Sequence, residues 1–220
     1  MLETLAREKL PRITLDFDGS VLGTNRRAED VTAGWNTKNK GQQSYYPLFC
    51  TVAQLAQVLA VHHRSGNVHD SNGSYDFLRD CVEKAKNACP RANIESRLDG
   101  AFFSEKTIEL LTELGVEYSI SVPFKRYHTI IKRLIDERKR WRTLDQEISY
   151  FEKSLSLKAW SIEPQRFVFV RERCKLQRKG PVQLDLFEPY DFNYQYKVIV
   201  TKKLTNTAQI INFHKGRGTQ

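Results

Sequence analysis

Cysteine is scarce in this 220-residue chain: four residues, Cys50, Cys81, Cys89 and Cys174, with no C-x-x-C pair among them. That spacing argues against both a disulfide framework and a zinc site. Cys81 and Cys89 read as ordinary core residues of one helix. Long apolar runs are also missing: no window approaches the ~18 consecutive apolar residues of a membrane helix. The opening MLETLAREKLPR has no apolar h-region of the signal-peptide kind. Internal repeats and low-complexity tracts are absent too. Acid is in deficit, with 26 Asp plus Glu against 35 Lys plus Arg, a formal charge of +9. Excess positive charge favours a polyanionic partner, nucleic acid first. With 40% hydrophobic and 11% aromatic residues the chain can bury a core, which excludes a disordered basic tail. A soluble, intracellular protein is expected.

After the breaker Pro11, ITLDFD alternates Ile13, Leu15 and Phe17 with Thr14, Asp16 and Asp18. That alternation reads as a strand ending at Gly19, with both acids on one face. A polar, basic stretch through Arg26, Arg27, Lys38 and Lys40 follows. SYYPLFCTVA and VLAVHH then read as a hairpin with Pro47 at its edge. Residues 71–88 repeat Tyr75, Leu78, Val82 and Ala85 at helical spacing, stopping near Pro90. NIESRLDG is a short strand with Asp99 at its end. Ser104 reads as an N-cap, with Phe103 and Ile108 at staple spacing and Gly115 closing the helix. VEYSISV adds a strand. Residues 125–142 carry eight Lys or Arg against two acids, on a predicted helix with Ile130, Ile131, Leu134 and Ile135 inward. ISYFEKSL, RFVFVRERC and NYQYKVIVT read as strands, the middle one running into the basic turn CKLQRKGP. NTAQIINFHKGRGTQ begins like a capped helix.

The order implies an α/β fold with a mixed sheet, flanking helices and an inserted, mostly β section. Three segments are expected: 1–123, 124–203 and 204–220. Acids at the ends of two strands can meet across a sheet. Hard divalent cations such as magnesium take one or two carboxylates, leaving water and substrate phosphate to complete the shell. Two such ions serve in-line displacement at phosphorus, which in a basic protein means nuclease or strand-transfer chemistry.

LDFDGS, GWNTKNKGQQSYYPL, RSGN, RLDGAFFS and the terminal HKGRGTQ, in this order, resemble insertion-sequence transposases of the DDE type, whose catalytic domain is RNase H-like. The resemblance implies that Asp18 is the first catalytic and metal-binding acid and Asp99 the second, with magnesium or manganese, two ions, as cofactor. It implies transposon-end and target DNA as partners, no membrane, compatibility with a homodimer in the DNA complex, and a cytoplasmic, nucleoid-associated prokaryotic setting. The family's last motif has an aromatic residue, two positions, Arg, three positions and Glu. His214 and Arg217 take the first two places, His standing for the usual Tyr, and the Glu falls one position past Gln220. The expectation is a chain cut one residue short of the triad, itself inactive. Arg217, Lys215, His214, Lys38 and Lys40 are the expected DNA contacts.

Alternatives stay open. Asp16 shares the face of Asp18 and is the second choice for the first acid. LDFDGSVL also resembles the nucleophile loop of haloacid dehalogenase-type phosphatases, in which Asp16 would be the nucleophile. A catalytically dead basic DNA-binding remnant is the other reading. His62, His63 and His69 are weak metal candidates. Trp35, Tyr45 and Tyr46 could flank DNA or be core, and the 125–142 helix could track phosphate or be a solvated face.

Overall fold

A computed structural model describes residues 1–24, 28–34, 41–68, 73–158, 160–174 and 194–219. Two compact units emerge, Met1–Tyr118 with Lys215–Gln220, and Ser119–His214. Lys38, Lys40, Trp35, His69 and the basic turn after Cys174 lie outside the described residues.

The first unit opens with helix α1 (Leu2–Glu8), which no periodicity announces. Strand β1 (Arg12–Gly19) follows, then β2 (Leu22–Gly23), β3 (Thr32–Ala33), β4 (Gln43–Tyr45), β5 (Leu48–Val52) and β6 (Gln57–His62). The rest is α2 (Ser74–Ala88), β7 (Asn93–Leu98), α3 (Glu105–Glu113) and β8 (Glu117–Ser121), whose last residues belong to the second unit. The expected hairpin is β5–β6, antiparallel, with Pro47 just before it. The small sheet β2-β4-β3 is an addition, made of strands too short to show periodicity.

β1 lies between β5, antiparallel, and β7, parallel. Ile13, Leu15 and Phe17 fill one face of it, and Thr14 and Asp16 are buried on the other. Every polar group buried there needs a partner, and β7 supplies them. Thr14 donates to Glu95 at 2.6 Å, Arg12 donates to Glu95 at 2.8 Å, and Arg97 grips Asp16.

α2 begins later than residue 71, after Gly73 in a left-handed conformation (φ 70°), and ends at Ala88 as expected. Its buried face is Phe77, Leu78, Cys81, Val82 and Ala85; Tyr75 is only half-buried. Cys89 is buried beyond the helix end rather than within it. α3 starts as expected: the Ser104 hydroxyl accepts from the Thr107 N–H at 3.2 Å, over buried Phe103 and Ile108. Gly115 (φ 62°) closes it, where a side chain would be strained. Ser104→Ala is expected to cost about 1 kcal/mol, read as a lower urea midpoint at unchanged slope.

The second unit holds α4 (His128–Asp136), β9 (Arg142–Thr143), β10 (Ile148–Leu155), β11 (Gln165–Arg173), β12 (Tyr194–Thr201) and α5 (Thr207–Lys215). The strand order β8-β12-β11-β10-β9 is antiparallel throughout. The basic helix stops at Asp136 instead of residue 142, because no apolar residue beyond Ile135 prolongs its buried stripe of Ile131, Leu134 and Ile135; Ile130 is half-buried. Trp141 instead packs edge-on against Phe151 at 4.7 Å. On the other face Ile148, Val168, Val170 and Ile199 pack with Ile210 and Ile211 of α5. Asn206 caps α5, accepting from the Gln209 N–H at 2.9 Å.

Candidate active site

The parallel register sets Asp16 opposite Arg97 and Phe17 opposite Leu98. Side chains two apart share a face, so Asp18 and Asp99 leave neighbouring strands one pleat beyond that pair. Asp18 sits where β1 turns, and Gly19 beside it is close to Tyr46: a Cβ there would lie 2.7 Å from the Tyr46 hydroxyl oxygen. Tyr46 is held in turn by Arg64, whose Nε donates to its carbonyl at 3.0 Å and whose guanidinium lies 5.3 Å from its ring centre. Arg64 belongs to the RSGN segment, so the sequence named the motif without naming what its arginine touches.

Asp99 has a divided carboxylate. Oδ1 accepts from the Ala101 N–H at 2.9 Å, capping the short turn Gly100–Phe102. Oδ2 lies 3.9 Å from Arg217 Nη2. Asp18 Oδ1 is also 3.9 Å from that nitrogen. One cationic atom is thus shared by an oxygen from each acid, and the two oxygens can be no further apart than twice that distance. Asp18 is the more open, 62% exposed at its side chain, against 29% for Asp99. Nη1 of Arg217 is buried with no hydrogen-bond partner among the described residues.

Asp16 is different. It is 5% exposed and bound bidentately by Arg97, Nε to Oδ1 and Nη2 to Oδ2, each at 2.6 Å. Burial pushes its carboxyl above the ordinary value, against the downward pull of Arg97. The pairing with Arg97 escaped the sequence reading because it joins residues distant along the chain.

His214, in the second unit, shares hydrogen bonds with Ser119 Oγ at 2.5 Å and Ser121 Oγ at 2.8 Å, which take both edges of its ring. Lys215 is exposed at the end of α5. His62 stacks on Phe77, and His63 lies tilted against Tyr45, as ring neighbours. Among the described residues no group of three or more His, Cys, Asp or Glu could hold a metal ion. The donors that do converge, two carboxylates, fit a hard divalent cation, which takes one or two such ligands and completes its shell with water and phosphate. Among the same residues no helix is long and apolar enough to cross a membrane.

In comparisons with known proteins, no curated protein matches the chain. Among solved structures, a piggyBac transposase synaptic complex with hairpin DNA is similar over 97% of this chain, at 12% identity and a TM-score of 0.52. The chain spans 41% of that transposase's length. An endonuclease V from Ciona intestinalis, in complex with inosine-containing DNA, aligns over 98% of this chain and 85% of its own, at 9% identity and a TM-score of 0.32. The first likeness agrees with the expected α/β, RNase H-like fold, a mixed sheet with flanking helices. The family described as Transposase DDE domain group 1 matches residues 1–219, so the chain belongs to that family, whose members generally use divalent metal ions.

Proposed function

We propose that this chain is most of the catalytic domain of a cut-and-paste transposase, which cleaves DNA at transposon ends and joins the freed 3′ ends to target DNA. The observation that carries the reading is the meeting of Asp18 and Asp99, from adjacent strand ends, around Arg217. Asp18 and Asp99 would hold magnesium or manganese. Held there, such a cation would supply activation of the attacking oxygen and charge stabilisation of the leaving one at phosphorus. Arg217 contributes fixed positive charge beside the phosphate, where charge develops in an in-line displacement. Tyr46 over Gly19 shapes the floor beside Asp18. Lys215, Lys38 and Lys40 add phosphate contacts, which would steepen the salt dependence of binding. His214 is assigned a lesser part, since both its ring edges face serines.

The full-length protein, mixed with duplex DNA bearing its cognate ends, is expected to nick that DNA with magnesium and not with a chelator. Salt-steep binding without any cleavage would favour the DNA-binding remnant instead. Turnover of a small phosphate ester, lost in Asp16→Asn, would favour the phosphatase reading; the burial of Asp16 against Arg97 argues against a free nucleophile there. Arg217→Lys keeps the charge but loses the planar fork. It is expected to slow single-turnover nicking by about a hundredfold, with the DNA Kd nearly unchanged.

A further inference from the structure

We propose that Asp16 and Arg97 are positioning residues: their buried pair fixes the turn at Gly216 and Arg217, and thereby sets Arg217 against Asp18 and Asp99. The inference rests on the transposase reading and assigns Asp16 a place in it.

The pair joins β1 to β7 directly, since the two residues are register partners. It lies one pleat behind both candidate acids, on their face of the sheet. Both side chains are under a tenth exposed, and the two bonds between them are short and parallel. An arginine bound this way has little freedom to swing. The third element at this point is the turn after α5. A Cβ on Gly216 would lie 2.3 Å from Arg97 Nη1, and 3.5 Å from its Cζ. A side-chain tip normally yields to such a contact, but this one is pinned from its other edge by Asp16. Glycine at 216 therefore answers to Arg97, not to a backbone requirement. The turn rests directly on the guanidinium, and the next residue, Arg217, reaches both acids. Misplacing a site by about 1 Å can cost about a hundredfold in rate, and losing an outer supporting partner costs about ten- to a hundredfold.

A double-mutant cycle on the full-length protein separates this role from general stability. Gly216→Ala is expected to lower kcat for nicking by about ten- to a hundredfold, with KM for DNA within about twofold, because the turn is lifted and not the DNA surface. Arg97→Lys keeps a cation against Asp16 but removes Nη1. In that background Gly216→Ala should cost less than about threefold, so that the effects are strongly non-additive. Wild-type kcat in Gly216→Ala, or a double variant as slow as the product of the single losses, would overturn the proposal. If Gly216→Ala does not fold, Asp16→Asn replaces it, releasing the pin while keeping the shape. A kcat at least about tenfold lower at unchanged KM supports the role, and an unchanged kcat or a loss only in KM refutes it. Asp99→Ala is assayed alongside. Equal nicking by that variant would sink the transposase reading itself, whereas an inactive Asp99→Ala with additive effects at 97 and 216 would sink only the positioning role.

Discussion

Asparagine at Asp99 is expected to slow DNA cleavage by the full-length protein by on the order of a thousandfold or more, with almost no change in stability. Stabilisation by a catalytic cation amounts to several kcal/mol, and each 1.4 kcal/mol is about a factor of ten. The divided carboxylate makes this substitution clean. An asparagine oxygen can still accept from the Ala101 N–H that Asp99 Oδ1 now caps. The charge facing Arg217 is lost. Alanine would also remove the cap and forfeit about 1 kcal/mol, confusing the two effects. Asp18→Asn should behave alike in rate and be still more neutral in stability, since that side chain is largely exposed. The measurement is single-turnover nicking with magnesium beside a urea titration of each variant. Wild-type nicking by either asparagine variant would remove that residue from the site.

Replacing Arg97 by methionine should be the most destabilising of the changes considered, about 3–5 kcal/mol near neutral pH, because it strands a buried carboxylate. The pH dependence has a definite sign. Burial already raises Asp16 above its ordinary value of 3.8, and removing Arg97 withdraws the chief influence pulling it down. The folded variant then holds the Asp16 proton to higher pH than the unfolded chain does. Between those two values the folded state binds more protons, so its stability falls as pH rises. The deficit of Arg97→Met should therefore be large near neutrality and shrink as the pH is lowered toward 3.8. Adding Asp16→Leu should recover most of it, since an apolar pair of similar volume can replace a buried ion pair at little cost. Urea titrations of the single and double variants across that range check this. A deficit that grows on acidification would contradict the burial of Asp16.

The parts of this molecule that were legible in the sequence are those specified by short range. Period-2 alternation gave β1 and turned Asp16 and Asp18 to one face; the Ser104 cap and Gly115 bracketed α3; Asn206 opened α5. The acids at strand ends were legible because a turn residue follows each, Gly19 after Asp18 and Gly100 after Asp99. What escaped depends on long-range register. Thr14 and Asp16 look like a solvent-facing row, yet they are buried because Glu95 and Arg97 arrive beside them from β7. The overlong basic helix had a different cause. Its charges continue past residue 136 while its apolar stripe does not, and it is the stripe that holds a helix to its core. The sheet of β2, β3 and β4 could not be foreseen at all, since two or three residues carry no period.

The place of β1 also governs the order in which the protein can be assembled. Its antiparallel neighbour β5 ends at Val52, but its parallel neighbour β7 spans Asn93–Leu98. During synthesis the hairpin side can close early, while the other edge of β1 stays open until some forty further residues have been made. An open strand edge flanked by Ile13, Leu15 and Phe17 is a template for pairing with another chain, and pairing over such separations is slow. Arrest of translation between Val52 and Asn93 should therefore yield an aggregation-prone nascent chain, and arrest after Leu98 a far more tractable one.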